Sequence, residues 1–569
     1  MTAHYVLCVG GSGAKGGEAL IHLLAAGVGT AKTVIHFLDQ DVTNGNLIKT
    51  RRLADLYQDL HKALRPALDK FDNQWLFRAP LNENGEAEVF PPVHPPFERL
   101  GQLFERDLLH DEARHFFDSL FDYERETNLE LVHGFRGRPG IGQAVLAAGL
   151  DTKLPFWTKL NERIDHRLHN SVVNQKFFLM GSVFGGTGAA GVPTVARHIH
   201  KRLNKSLDDR RGNVGAALFL PYFSYPEKDP RQEQATGKLL PSATMMARAR
   251  MALDYYRLEM DQSNKWGEGS PLDTSGPAGR KKPPSFDALY IVGWPEMIDL
   301  GYVAAGGGVQ DNPALVPELV AALSALHFLQ DGFIPDSRGE DRLTGRVFRS
   351  GFVGNTIEWE DLPTPRTGVP SVIALRPLVT LIRFAFAYKY VYYEALFGEI
   401  APQCRRQVWF ENLIGAPEAI VPKTQETGRQ LLRYCDMVLR WVAAMALHGK
   451  DPLCRIFDVK NSGFACFTDE RNDNGDYLPR RIQLYEEMAS REKLMKGPED
   501  ARYLPFKDFG NDIHDIFQDL VPWTPKLCGL DKVYSSLCTT RPKNKKDRNF
   551  AAFVHFLWIA CAQQEGDRL

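Results

Sequence analysis

Gly181-Ser182-Val183-Phe184-Gly185-Gly186-Thr187-Gly188-Ala189-Ala190-Gly191 decides how this chain is read. The apolar run Phe177-Phe178-Leu179-Met180 precedes it and predicts a buried strand. Val192, Val195, Ala196, Ile199 and Leu203 follow at helical spacing. Pro193 sits where a first-turn proline is tolerated, because its missing N–H has no partner there anyway. The stretch therefore reads as strand, glycine turn and helix start. Glycines let backbone amides approach a ligand closely, and a helix N-terminus adds partial positive charge. A phosphate chain is the ligand such a turn suits.

Three further turns extend the pattern toward the N-terminus. Tyr5–Val9 predicts a short strand, followed by Gly10-Gly11-Ser12-Gly13-Ala14-Lys15-Gly16-Gly17 and a helix with Gly27 at its C-cap. Val34–Leu38 predicts a second strand ending in Asp39-Gln40-Asp41. Leu129–Val132 predicts a third, followed by a turn that includes Gly137-Arg138-Pro139-Gly140-Ile141-Gly142, with a helix from about Ala144. Two carboxylates beside a polyphosphate need a cation between them, and magnesium takes oxygen ligands. Arginines in such a turn can bind phosphate oxygens bidentately.

Gly185-Gly186-Thr187-Gly188-Ala189-Ala190-Gly191 resembles the phosphate loop of the tubulin/FtsZ superfamily, with Ala190 displacing the last glycine by one. The first glycine turn, the acidic strand end and the Gly137–Gly142 turn come in the superfamily's order. The resemblance spans roughly residues 1–330. It implies an α/β, Rossmann-like nucleotide-binding domain, with an insertion near 50–128, followed by a largely helical region at 331–569. It further implies GTP and Mg2+ as ligands. Gly11, Ser12, Gly13, Gly137, Arg138, Gly185, Gly186, Thr187, Gly188 and Ala189 would then line the phosphates. Tyr222 and Glu227, with Lys228, would lie by the ribose, and Asp39 and Asp41 would hold the metal. Head-to-tail self-association into an oligomer or filament would follow, because the superfamily binds nucleotide between subunits.

The chain also departs from that pattern. The helix expected over 239–260 carries Ser242-Ala243-Thr244-Met245-Met246-Ala247-Arg248, without the asparagine that reads guanine. No Gly-x-x-Asn-x-Asp follows it to supply a catalytic acid, so slow or partner-dependent hydrolysis is expected. A non-hydrolysing nucleotide sensor or scaffold, in bacterial defence or segregation, is a second reading. A third is an NAD-dependent Rossmann enzyme. Gly11, Gly13 and Gly16 satisfy Gly-x-Gly-x-x-Gly, and Asp39 lies about 20 residues on.

Composition narrows the class. The 569 residues are 44% apolar and 24% charged, as in folded domains, and the length suggests two or three of them. A formal net charge of -1 gives no general attraction to nucleic acid or an anionic membrane. The eight cysteines form no Cys-x-x-Cys, which fits a reducing cytoplasm and argues against zinc. His110, His115, His166 and His169 sit among charges and read as surface residues. Arg376, Arg383 and Lys389 make Ser371–Phe397 a buried helix rather than a membrane span. Residues 261–285 read as a loop, and Lys543-Asn544-Lys545-Lys546 as a solvated run. Helices are expected over Pro313–Leu329 (with Asn312 as N-cap), Gln425–His448, Arg480–Lys496 and Phe550–Gln564. The last three belong to the C-terminal half, which would offer a surface for a protein partner.

Overall fold

In the computed structural model, the described residues are 4–29, 31–71, 75–82, 88–92, 99–135, 137–150, 155–169, 175–203, 212–224, 242–260, 286–300, 310–330, 357, 359–366, 368–398, 401–448 and 530–562. The fold is mixed α/β. Strands β1 (His4–Val9), β2 (Thr33–Leu38), β3 (Val89–Phe90), β4 (Gln175–Ser182), β5 (Gly212–Phe219) and β7 (Ala288–Val292) form one sheet. Its order is β3-β2-β1-β4-β5-β7, and every neighbouring pair is parallel. β1, β2 and β5 are buried along their whole length. Parallel strands need helices on both faces, which is why they read as continuous apolar runs. The short strands β6 (Phe223–Ser224) and β8 (Ile298–Asp299) pair separately.

Helix α1 (Gly10–Ala26) starts directly after β1, and α2 (Gly45–Leu68) lies against it. Gly27 closes α1 in the left-handed region, with φ +83. A Cβ there would come within 2.6 Å of the Trp75 carbonyl oxygen, so only glycine fits this stop. After α3 (Asp111–Leu120) come α4 (Pro139–Leu150), α5 (Pro155–His169), α6 (Gly186–Leu203), α7 (Ser242–Met260) and α8 (Val316–Leu329). α5, α6 and α7 bury Trp157, Val195, Ile199 and Tyr256 on one face of the sheet.

The opposite face continues into the C-terminal half. Helices α9 (Arg376–Ala387), α10 (Pro422–His448), α11 (Leu530–Thr539) and α12 (Phe550–Ala562) share one apolar core with α1, α2 and α8. The ring of Trp441 on α10 lies tilted, 4.8 Å from His22 on α1, and Tyr434 packs 4.9 Å from Phe77. Burial pushes the His22 imidazole down to about 3, so it stays neutral against these rings.

Several expectations are corrected. Leu129–Val132 is no strand: Leu131–His133 forms a 3-10 turn, and the third strand in chain order is Val89–Phe90, inside the insertion expected near 50–128. α4 begins at Pro139, five residues before Ala144, because proline suits a first helical position. Asn312 does not cap α8; Leu315 takes that place, and its N–H donates to Glu318 Oε2 at 2.9 Å. Ser371–Phe397 is broken at Leu375 and carries a π turn at Tyr388–Tyr392. The loop at 261–285 and the helix at 480–496 lie outside the described residues. Among the described residues no helix is long and apolar enough to cross a membrane.

Candidate functional site

The strand order reverses between β1 and β4, so their carboxyl ends leave a crevice where such folds receive ligands. Two helices begin at that crevice, α1 at Gly10 and α6 at Gly186. Gly10 has φ +74, and a Cβ on it would lie 3.3 Å from the Gly188 nitrogen and 3.5 Å from Thr187 Cβ. The two N-terminal turns are therefore in contact. The Thr187 hydroxyl donates to Asp39 Oδ1 at 3.2 Å, which brings in the end of β2. A Cβ on Gly134 would lie 3.7 Å from Asp41 Cβ, and one on Gly186 would lie 3.2 Å from the Gly137 nitrogen. Four turns, distant in sequence, meet in one place. Helix N-termini carry unpaired N–H groups and partial positive charge, and two of them here point their ends together.

The glycines divide by role. A Cβ at Gly188 would strike both the nitrogen and the oxygen of Ser182 at 2.7 Å. One at Gly13 would collide with the Met180 carbonyl of β4. These two, both buried, exist to let helix lie on strand. Gly11, Ser12, Gly185 and Ala189 remain partly exposed at the crevice, and Gly185 N donates to Ser182 Oγ at 3.2 Å. Gly186 and Thr187 are buried.

Asp39 is 4% exposed and Asp41 3%. Burial, then the neighbouring Asp41 charge, pushes the Asp39 carboxyl up to about 7, against hydrogen bonds from Asp41 N and Thr187. Asp41 Oδ1 accepts from Thr43 N at 3.1 Å and from the Thr43 hydroxyl at 2.7 Å. Among the described residues no group of three or more His, Cys, Asp or Glu is placed to hold a metal. A cation at this pair would complete its shell with phosphate oxygens and water, as magnesium commonly does.

Other expected residues fall elsewhere. Tyr222 is buried at 1%, and its hydroxyl donates to Glu318 Oε1 at 3.1 Å inside the core. Glu227 and Lys228 lie outside the described residues. Arg138 pairs with Glu126 at 3.7 Å, next to the Gly137 that touches Gly186.

The sequence reading missed a charged network directly behind the first glycine turn. Lys15, 2% exposed on α1, lies 3.5 Å from Glu318 and 3.8 Å from Glu18, and donates to the Asn312 carbonyl at 2.9 Å. Lys49 reaches Glu18 at 3.2 Å. Burial alone would raise Glu18, but the Lys49 and Lys15 charges outweigh it and hold that carboxyl below its usual range. Asn46 completes the frame: its Oδ1 accepts from Asn312 N at 2.7 Å, while Asn44 caps α2. A lysine inside a glycine-rich helix start was the available signal.

Comparison of the chain with protein-family models, with curated proteins and with solved structures finds no match in any of the three.

Proposed function

We propose that this chain binds a nucleoside triphosphate with Mg2+ at the β1/β4 crevice, in the manner of the tubulin/FtsZ superfamily. The observation that carries this reading is the meeting of two helix N-termini at Gly10 and Gly188, beside a buried acidic pair. A polyphosphate supplies enough negative charge to engage both ends, and a cation reconciles it with Asp39 and Asp41. Gly11, Ser12 and Ala189 are the residues whose amides would face it. GTP is the nucleotide implied by the resemblance. Head-to-tail association and weak turnover belong to the same reading, with cytoplasmic residence. The bond between Thr187 and Asp39 favours it over NAD binding, because it engages Asp39 with the second phosphate turn rather than leaving the acid to a ribose.

Thermal melting of the full chain with GTP, ATP and NAD, each with and without Mg2+, tests it. A ligand held by the folded state alone raises the melting temperature by mass action. A Mg2+-dependent rise with a triphosphate is expected. No rise with either triphosphate, or a rise with NAD alone, would reject the reading.

A further inference from the structure

We propose that the side-chain amide of Asn46, at the start of α2, is a further phosphate-binding group: its nitrogen donates to the phosphate that the N-terminus of α1 receives. The inference rests on the nucleotide reading and adds to that site a residue from outside the glycine turns. Side chains on a helix tilt toward its N-terminus. A Cβ on Gly11 would lie 3.3 Å from Asn44 Nδ2 and 3.6 Å from Asn46 Nδ2. Both amides therefore stand at the end of α1 toward which its unpaired N–H groups point.

The two asparagines are not equivalent. The Asn44 amide is fully engaged: Oδ1 accepts from Asn46 N at 3.0 Å, and Nδ2 donates to Gln310 Oε1 at 2.8 Å. Asn46 is engaged at one end only. Its Oδ1 accepts from Asn312 N at 2.7 Å, which fixes the other end of the amide as nitrogen. That nitrogen donates to no group among the described residues. Asn46 is 3% exposed, yet its Nδ2 is not sealed from solvent. A side chain this buried has an acceptor for its free N–H only if one enters from the crevice, and a donor left without one is costly. A phosphate oxygen at the α1 terminus is such an acceptor. The donor is neutral, so it does not compete with a cation at Asp39 and Asp41.

Isothermal titration of the full chain with GTP and with inorganic tripolyphosphate, both with Mg2+, tests the assignment in wild type, Asn46→Ala and Asn46→Asp. Melting without ligand is the control. Asn46→Ala removes the donor and adds no charge. Asn46→Asp keeps the acceptor for Asn312 N and suits the positive end of α2, so its melting temperature should be no lower than that of wild type. Both substitutions should weaken both ligands, Asn46→Ala by about tenfold and Asn46→Asp by more. Loss with Asn46→Asp alone would mean that the side chain only stands in the field of the phosphate. Loss with Asn46→Ala alone would mean that it only holds Asn312. Either result overturns the inference, as does no loss at all. Affinity losses that track equal falls in melting temperature in both variants overturn it too, since Asn46 would then act through the fold. Loss confined to GTP also overturns it, because Asn46 would then touch the nucleoside. If one variant does not fold, loss or no loss in the other decides. A wild-type chain that binds neither ligand rejects the nucleotide reading itself.

Discussion

Asp39 and Glu318 are both fully buried acids, and both have carboxyls pushed up to about 7 by burial. Their surroundings differ. Glu318 Oε1 accepts from Tyr222, and its Oε2 accepts from Leu315 N and faces Lys15 at 3.5 Å. Asp39 has a hydroxyl and a backbone amide on Oδ1, and a second carboxylate as its charged neighbour. A buried acid with a cation and donors on both oxygens is part of the framework. One set beside another acid, at the meeting of two helix N-termini, is where the proposed reading would put a cation. The difference separates structure from site more sharply than burial does.

The largest expected effect breaks the Glu318 side. Lys15→Met removes the cation shared by Glu18 and Glu318 and leaves Glu18 its pair with Lys49, so it should cost about 3–5 kcal/mol in urea unfolding. A cost below about 1 kcal/mol would mean that the network does not need its lysine.

The next effect has the opposite sign. With a folded pKa above the unfolded one, Asp39 keeps its proton in the native state while the unfolded chain loses it. Stability from this group is therefore intact below about pH 4 and is lost as pH rises toward 7. In the absence of ligand, Asp39→Asn should stabilise the chain by about 2–4 kcal/mol at pH 8, with the gain vanishing near pH 4. The same substitution should remove the Mg2+-dependent part of any nucleotide-induced rise in melting temperature. A variant that loses stability at pH 8 would place Asp39 with Glu318 as framework.

The smallest effect sharpens the comparison from the Tyr222 side. Tyr222→Phe deletes one donor to Glu318 and keeps the ring among Phe184 and Phe223, so a loss of about 1–2 kcal/mol is expected. Nucleotide affinity should not change. A fall in affinity with unchanged stability would return Tyr222 to the ligand.

The fold was more legible than the site. β1, β2 and β4, and the helices after β1 and β4, were readable because continuous apolar runs and glycine stops sit within a few residues of one another. The strand expected at Leu129–Val132 failed because a short apolar run fits a buried turn equally well; Leu131 is fully buried in a small cluster with Phe135 and Ile141. Val89–Phe90 is too short to announce itself. Tyr222 was read as facing a ligand because nothing local revealed that Glu318 would come to meet it.

From the sequence alone came the α/β class, the glycine turns that open α1 and α6, the Gly27 stop and helices such as the one expected over Gln425–His448. These depend on spacing within one or two turns of chain. Tertiary structure decided that Gly10 touches Gly188, that Lys15 meets an acid some 300 residues away, and that the C-terminal helices close over α1 and α2 in one core. Such contacts depend on which faces can be buried together once the sheet order is set, and no local pattern encodes that choice.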